Sequence, residues 1–310
     1  MTMTSTTTAP RIERLSALSA RRVVDPDVDI PGRLGDGQIV ADELLSTHDV
    51  GLDLTADQRR RLAAEEIAAV TEEGIRFEMV LTAGFSREIQ RAEKLTDPWV
   101  TYALHEMGEE TRHSRLFVRL LDQLQPTAVN PLNQGVIGVI GRRVLDFVVK
   151  RPPLFYTLVL AGEEIPDLLQ KRTSEHPDTD PFLVAVNRYH RQEEARHLSF
   201  ARMRLPELYE AAPRRQRFQV RYLAPLLIKS QLEGLLHPGI YKAVGLPGWR
   251  TWLRVHRSPK IVQLRHEATR PILRELMSSG AFRAGRIPRG WRRLCGVDGT
   301  GQPVTAPAPA

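Results

Sequence analysis

The sequence predicts an all-α protein, a core bundle of four long helices with additional flanking helices. Three observations lead there. Hydrophobic residues make up 42% of the chain but aromatic ones only 6%, so the residues that favour strands are scarce. Apolar residues recur at three- and four-residue steps over long stretches, the signature of one buried helical face. Prolines mark the breaks between those stretches.

Taken in order, residues 1–50 carry Pro26, Pro31, Gly32, Gly35 and Gly37, breakers that forbid a long helix, and read as an extended arm lying on the body. Thr55, with Asp57 and Gln58 behind it, is a capping signal that opens a first long helix reaching to about Lys94. Pro98 starts a second, which stops near Leu124 ahead of Pro126. A third runs from about Val136 to Lys150, before Pro152 and Pro153; a fourth from about Leu154 to Arg172; a fifth from Pro181 to Arg204. Further helices are expected over roughly 214–236 and 259–278. Residues 51–280 thus form one helical domain, and 281–310 read as a loose, arginine-bearing tail. No fixed-period repeat or sustained heptad appears, which sets solenoids and coiled coils aside.

The net charge is +7, and a basic surface attracts phosphate, but no nucleic-acid motif accompanies the scattered arginines, so no nucleic-acid partner is expected. No apolar run has the length of a signal peptide core or a membrane span. The single cysteine, Cys295, leaves no internal disulfide and no thiolate cluster, which fits a reducing cytoplasm.

The chemistry-bearing residues lie on helices. His190, Glu194 and His197 recur at steps of four and three and project from one face, within a stripe that continues through Leu183, Val186, Ala201 and Leu205. Glu110 and His113 repeat the E-x-x-H step on the second helix, flanked by Ala103, Met107, Phe117 and Leu120. Bundles that hold two metal ions in this way add one glutamate from each of the two remaining helices. On the first helix the stripe Ile67, Thr71, Gly74, Glu78, Leu81, Phe85 places Glu78 inward, with Glu72 and Glu73 as alternatives. On the fourth, Tyr156, Val159, Glu163 and Pro166 place Glu163 inward, with Glu164 nearer the rim. Four glutamates balance two ferrous ions, whereas the same carboxylates buried without metal repel one another and suffer desolvation. Oxygen and nitrogen ligands without sulfur suit iron or manganese.

Other residues take blander readings. His105 and Glu106 fall at or off the edge of the buried stripe and read as rim residues. His237, His256 and His266 read as surface or packing residues, and Phe77, Tyr189 and Phe200 as core. Arg112 and Arg196, one inside each motif, are expected to pair with outer carboxylates. Leu81, Met107, Val159 and Leu160 are placed to line a pocket, although packing is the commoner role.

The order Glu78, Glu110-x-x-His113, Glu163, His190-x-x-x-Glu194-x-x-His197 resembles the ferritin-like di-iron proteins. The histidine one turn before Glu194 narrows this, because it is similar to the AurF-like di-iron oxygenases, the p-aminobenzoate N-oxygenase family. The motifs cover about residues 55–205. The resemblance implies a ferritin-like bundle and two iron ions held by Glu78, Glu110, His113, Glu163, His190, Glu194 and His197. It further implies O2 as co-substrate, a small-molecule amine oxidised toward a hydroxylamine or nitro product in biosynthesis, and a homodimer. Lacking a dinucleotide fingerprint and a cysteine set for an iron–sulfur cluster, the chain calls for an external electron-donor protein. Competing readings are a di-iron C-hydroxylase or desaturase, a ferritin-like iron-handling protein, and a metal-free helical binding module.

Overall fold

The computed structural model describes residues 8–21 and 23–304, and these are all-α. Four long helices make the bundle: α3 (Ala56–Ile89), α4 (Pro98–Leu124), α6 (Pro152–Glu175) and α7 (Pro181–Ala211). The capping signal at Thr55 is a complete capping box, with Gln58 N donating to Thr55 Oγ1 at 3.2 Å and Thr55 N donating to Gln58 Oε1 at 3.0 Å. Proline in the first turn opens α4, α6 and α7, where its missing N–H costs no hydrogen bond. Gln125 ends α4 in the left-handed conformation, its N–H closing on the carbonyl of Leu121.

Short loops make α3 with α4 and α6 with α7 the most intimate pairs. The stretch between α4 and α6, which carries α5 (Gly135–Val148), runs the length of the bundle. Ring contacts at one end establish this: Phe85 late in α3 meets Phe155 early in α6 at 5.7 Å, and Tyr102 early in α4 meets Phe200 late in α7 at 4.5 Å. Helix α5 lies outside the bundle with Val136, Ile137 and Ile140 exposed.

The apolar core is divided. One cluster gathers Leu81, Phe85, Tyr102, Phe155, Tyr156 and Phe200; the other gathers Leu62, Leu116, Leu120, Phe182, Leu183 and Val186. Between them every bundle helix turns a polar side chain inward. Leu81, Val159, Leu160 and Met107 belong to the first cluster, where they pack.

The structure departs from the sequence reading at both ends. Within the arm expected over 1–50, α1 (Ala9–Arg21) is a helix that packs on α4 and α7 through Ile12 and Ser19. Pro10 sits in its first turn, where its missing N–H costs no hydrogen bond, and no further proline or glycine comes before Pro26, which leaves this stretch free to coil. Beyond a single turn, α2 (Pro26–Asp29), the chain runs without a long helix to a 3-10 turn at Asp42–Leu44 and is tied to the body by Leu34 N to Gln123 Oε1 at 2.8 Å and Asp180 N to Ile39 O at 2.9 Å. The loose tail expected over 281–310 is packed structure as far as Val304. Helix α13 (Arg289–Cys295) buries Trp291, whose Nε1 donates to Val220 O at 3.1 Å, along with Leu294 and Cys295. Its arginines masked the apolar residues spaced between them. Residues 305–310 lie outside the described residues.

The remaining helices are α8 (Arg214–Tyr222), α9 (Ala224–Leu235), α10 (Pro238–Ala243), α11 (Gly248–Arg257) and α12 (Pro259–Ser278). Of these, α12 packs along α6, and α9 touches both α3 and α6. No helix among the described residues is long and apolar enough to cross a membrane.

Candidate metal centre

The polar layer between the two apolar clusters collects Glu78 from α3, Glu110 and His113 from α4, Glu163 from α6, and His190, Glu194 and His197 from α7, all of them buried. Each histidine turns one ring nitrogen inward to carboxylates. His113 Nδ1 lies 3.4 Å from Glu110 Oε2, 3.2 Å from Glu194 Oε1 and 4.0 Å from Glu78 Oε1. His190 Nε2 lies 3.3 Å from Glu194 Oε1 and 3.6 Å from Glu78 Oε1. His197 Nδ1 lies 2.9 Å from Glu194 Oε2 and 3.2 Å from Glu110 Oε1. Glu110 and Glu194 therefore stand in the middle, each facing His113 with one oxygen and His197 with the other. Glu163 lies within the electrostatic reach of Glu194, Glu110 and His197, and it lines a common cavity with Glu78 and His190.

The outer nitrogen of each histidine is held as well. His113 Nε2 is 3.0 Å from Glu193 Oε2, His197 Nε2 is 2.8 Å from Glu109 Oε2, and His190 Nδ1 is 2.9 Å from Gln170 Oε1. An outer acceptor fixes the proton on that nitrogen and leaves the inner one free to ligate. The supports cross: Glu109 on α4 holds the histidine of α7, and Glu193 on α7 holds the histidine of α4. Arg196 ties them together, 2.9 Å from Glu109 Oε1 and 3.4 Å from Glu193 Oε1, and Arg112 approaches Glu193 Oε2 at 3.8 Å. Both arginines pair with outer carboxylates as their place in the motifs predicts. The sequence reading passed over Glu109, Glu193 and Gln170. The signal for two of them was present in the doubled glutamates Glu109-Glu110 and Glu193-Glu194.

Without a cation this layer is electrostatically frustrated. Burial raises Glu78 and Glu163, and the carboxyl of Glu163 is pushed up again by neighbouring Glu194 and Glu110. Burial works against charge on His113 and His197 too, yet the carboxylates around them prevail and hold both rings protonated well above the ordinary imidazole range. Glu78 Oε1, both oxygens of Glu110, Glu194 Oε1 and His113 Nδ1 are buried without a hydrogen-bonding partner. Orphaned buried acceptors are rare in folded proteins. Within these seven residues two groups of donors converge closely enough to share an ion, Glu78–His113–His190 and Glu110–His113–Glu194, so the residues fit a bound cation.

The three sequence alternatives are paired elsewhere. Glu73 pairs with Arg76 and accepts from Asn133, and Glu164 pairs with Arg202 at the surface. Glu72 likewise pairs with Arg76. His237 and His256 are buried or half-buried away from the layer, His256 Nε2 donating to Leu236 O at 3.1 Å.

The family model for the P-aminobenzoate N-oxygenase AurF matches residues 5–280. The chain belongs to the AurF family. Among curated relatives, an uncharacterized protein of Mycobacterium bovis (Mb0909) and one of Mycobacterium tuberculosis (Rv0885) are each 31% identical over 185 residues, covering 55% of this chain and 50% of the relative. The chain thus spans about half the length of the curated relatives it matches.

In this AurF-family chain a cavity of about 190 Å³ reaches Glu78, Glu163 and His190. Its lining follows α3 from Glu66 to Glu78, about 18 Å at the rise of an α-helix. Across from α3, α9 and α12 close it with Leu232, Leu235 and Leu264. Phe77 and Phe117 face it next to the carboxylates, and Phe77, which packs against the core as the sequence suggested, is a cavity wall as well. An apolar cavity of roughly 150 Å³ is enough to bind benzene. At the far end Glu66 accepts hydrogen bonds from Ser46 N at 3.1 Å and Ser46 Oγ at 2.5 Å.

Proposed function

We propose that this protein is a non-haem di-iron oxygenase that uses O2 to oxidise a small molecule, with the nitrogen of an arylamine as the site of attack and a hydroxylamine or nitro compound as product. The observation that carries this reading is the convergence of three histidine nitrogens on the orphaned carboxylates of Glu78, Glu110 and Glu194 in a chain of the AurF family. In this reading Glu78, His113 and His190 hold one iron, Glu163 and His197 the other, and Glu110 and Glu194 stand between them. When bound, the iron pair supplies the O2 activation and electron transfer that no amino-acid side chain provides.

The chain's own residues do the rest. Glu193, Glu109 and Gln170 keep the outer nitrogens of His113, His197 and His190 protonated, so the inner nitrogens present lone pairs. Arg196 and Arg112 hold those two glutamates ionised and in place. The cavity along α3 and α6 takes the substrate, excludes bulk water with its apolar walls and brings one end of the ligand to Glu78 and Glu163. The reducing electrons come from a separate donor protein.

The test is to load the protein anaerobically with ferrous iron, measure bound iron, then add O2 and a panel of arylamines and analyse products by mass spectrometry. Two irons per chain and hydroxylamine or nitro products support the reading. Hydroxylation at carbon in place of nitrogen moves the assignment to a C-hydroxylase. Wild-type protein that binds no iron overturns it.

A further inference from the structure

Beyond the seven residues above, Glu106 belongs to the same polar layer. It sits on α4, one turn before Glu110, and contrary to its reading as a rim residue it is fully buried. Neither of its carboxylate oxygens has a hydrogen-bonding partner. Its carboxyl, that of Glu110 and the ring of His197 each offer one atom within 4.8 Å of the others, a third convergent group of donors.

Its register explains why it is there. Helix α7 carries His190-x-x-x-Glu194-x-x-His197, and α4 carries Glu106-x-x-x-Glu110-x-x-His113. At about 100° per residue the two triplets occupy the same face of their helices with the same spacing. The layer obeys an approximate exchange of α3 and α4 with α6 and α7. Glu78 corresponds to Glu163, His113 to His197, the support Glu193 to Glu109, and the central Glu194 to Glu110. Under that exchange His190 has one counterpart, which is Glu106. On one side Glu78, His113 and His190 face a common point; on the other, Glu106, Glu110 and His197 do.

We propose that Glu106 is an eighth protein ligand of the metal centre, donating a carboxylate oxygen to the ion that His197 and Glu163 hold. The two ions then sit in unequal fields. One has two imidazoles and one carboxylate of its own, the other one imidazole and two carboxylates. This inference rests on the di-iron reading above and goes beyond it in assigning a ligand.

The experiment is iron binding to metal-depleted protein under anaerobic conditions, read as stoichiometry and affinity, on wild type, Glu106→Gln and the control Glu88→Gln. Glu88 is a buried carboxylate that accepts from Tyr156 at 3.2 Å, away from the layer, and controls for the insertion of a buried carboxamide. The expected result is that Glu106→Gln weakens one of two ferrous ions on the order of ten- to a hundredfold, comparable to the loss of an outer-sphere support or larger. Glu88→Gln should bind both as wild type does. Two ions of unchanged affinity in Glu106→Gln overturn the proposal and leave the di-iron reading standing, whereas a wild type that binds no iron overturns the di-iron reading itself. Should Glu106→Gln not fold, a crystal structure of iron-loaded wild type decides: a Glu106 oxygen bonded to iron supports the assignment, and one turned away from both ions refutes it.

Discussion

Gly84 on α3 offers a sharp test of how tightly the bundle end beside the metal layer is packed. A Cβ built on it would stand 2.2, 2.5 and 2.9 Å from three carbons of the Phe155 ring, where ordinary contact begins at 3.4 Å. The ring must therefore retreat by about 1.2 Å, and it has nowhere to go. Phe155 is buried, held edge-on by Phe85 at 5.7 Å and by Tyr156 at 5.4 Å. Overpacking of this kind costs about 1–3 kcal/mol, while exchanging a helical glycine for alanine gains about 1 kcal/mol. The net expectation for Gly84→Ala is a loss of up to about 2 kcal/mol, the difference of those two effects. Gly108, in the middle of α4, provides the opposite case. A Cβ there meets only Arg112 Nη1 at 3.9 Å, so Gly108→Ala should raise stability by about 1 kcal/mol. Urea denaturation reads both as midpoint shifts of opposite sign at unchanged slope. In a double-mutant cycle with Phe155→Leu, which shortens the obstructing ring, the Gly84→Ala penalty should shrink. Equal midpoints for the two alanine variants, or strict additivity in the cycle, would refute the packing argument.

Four further outcomes are expected. Burial lifts Glu66 to about 7 against a usual 4.5, although Ser46 and Lys260 pull it down; the folded state keeps a proton that the unfolded chain releases above pH 4.5. Stability from this group is thus full below pH 4.5 and falls by about 3 kcal/mol as pH rises through 7, so the wild type should lose ground to Glu66→Gln between pH 5.5 and pH 8, and a pH-independent difference between them would count against it. Glu109→Gln and Glu193→Gln should each lower iron affinity on the order of ten- to a hundredfold by loosening the histidine they support across the bundle, whereas Glu164→Gln and Glu73→Gln, whose carboxylates pair with Arg202 and Arg76, should leave it unchanged in the same titration. Ferrous iron at a hundred times its dissociation constant should stabilise the fold by about 2.7 kcal/mol per ion, seen as a rise in melting temperature that Glu194→Ala abolishes. In Gly162→Ala the new Cβ would fall 1.8 Å from Phe77, whose half-buried ring can swing into the cavity; substrate binding should weaken while iron stoichiometry stays that of the wild type.

Much of this architecture is legible in the sequence because it is local. Helix periodicity, the Thr55 capping box and the prolines before α4, α6 and α7 are decided within a few residues, and so are the E-x-x-H faces, since spacing alone brings side chains three and four apart onto one side. The burial of Glu78 and Glu163, with Glu73 and Glu164 nearer the rim, also follows from which residue continues the apolar stripe. What the sequence could not convey is anything decided between helices. Glu109 and Glu193 lie one residue off the inward stripe and look like surface carboxylates until α4 and α7 pack and each reaches the other's histidine. Glu106 sits at the edge of its stripe, and only its facing neighbours close over it. The cavity belongs to the C-terminal helices as much as to the bundle, because α9 and α12 wall it although they lie far along the chain from α3. Local hydrogen bonding and periodicity settle which residues share a face, while burial is a property of what packs against that face, and that is fixed only when the tertiary structure forms.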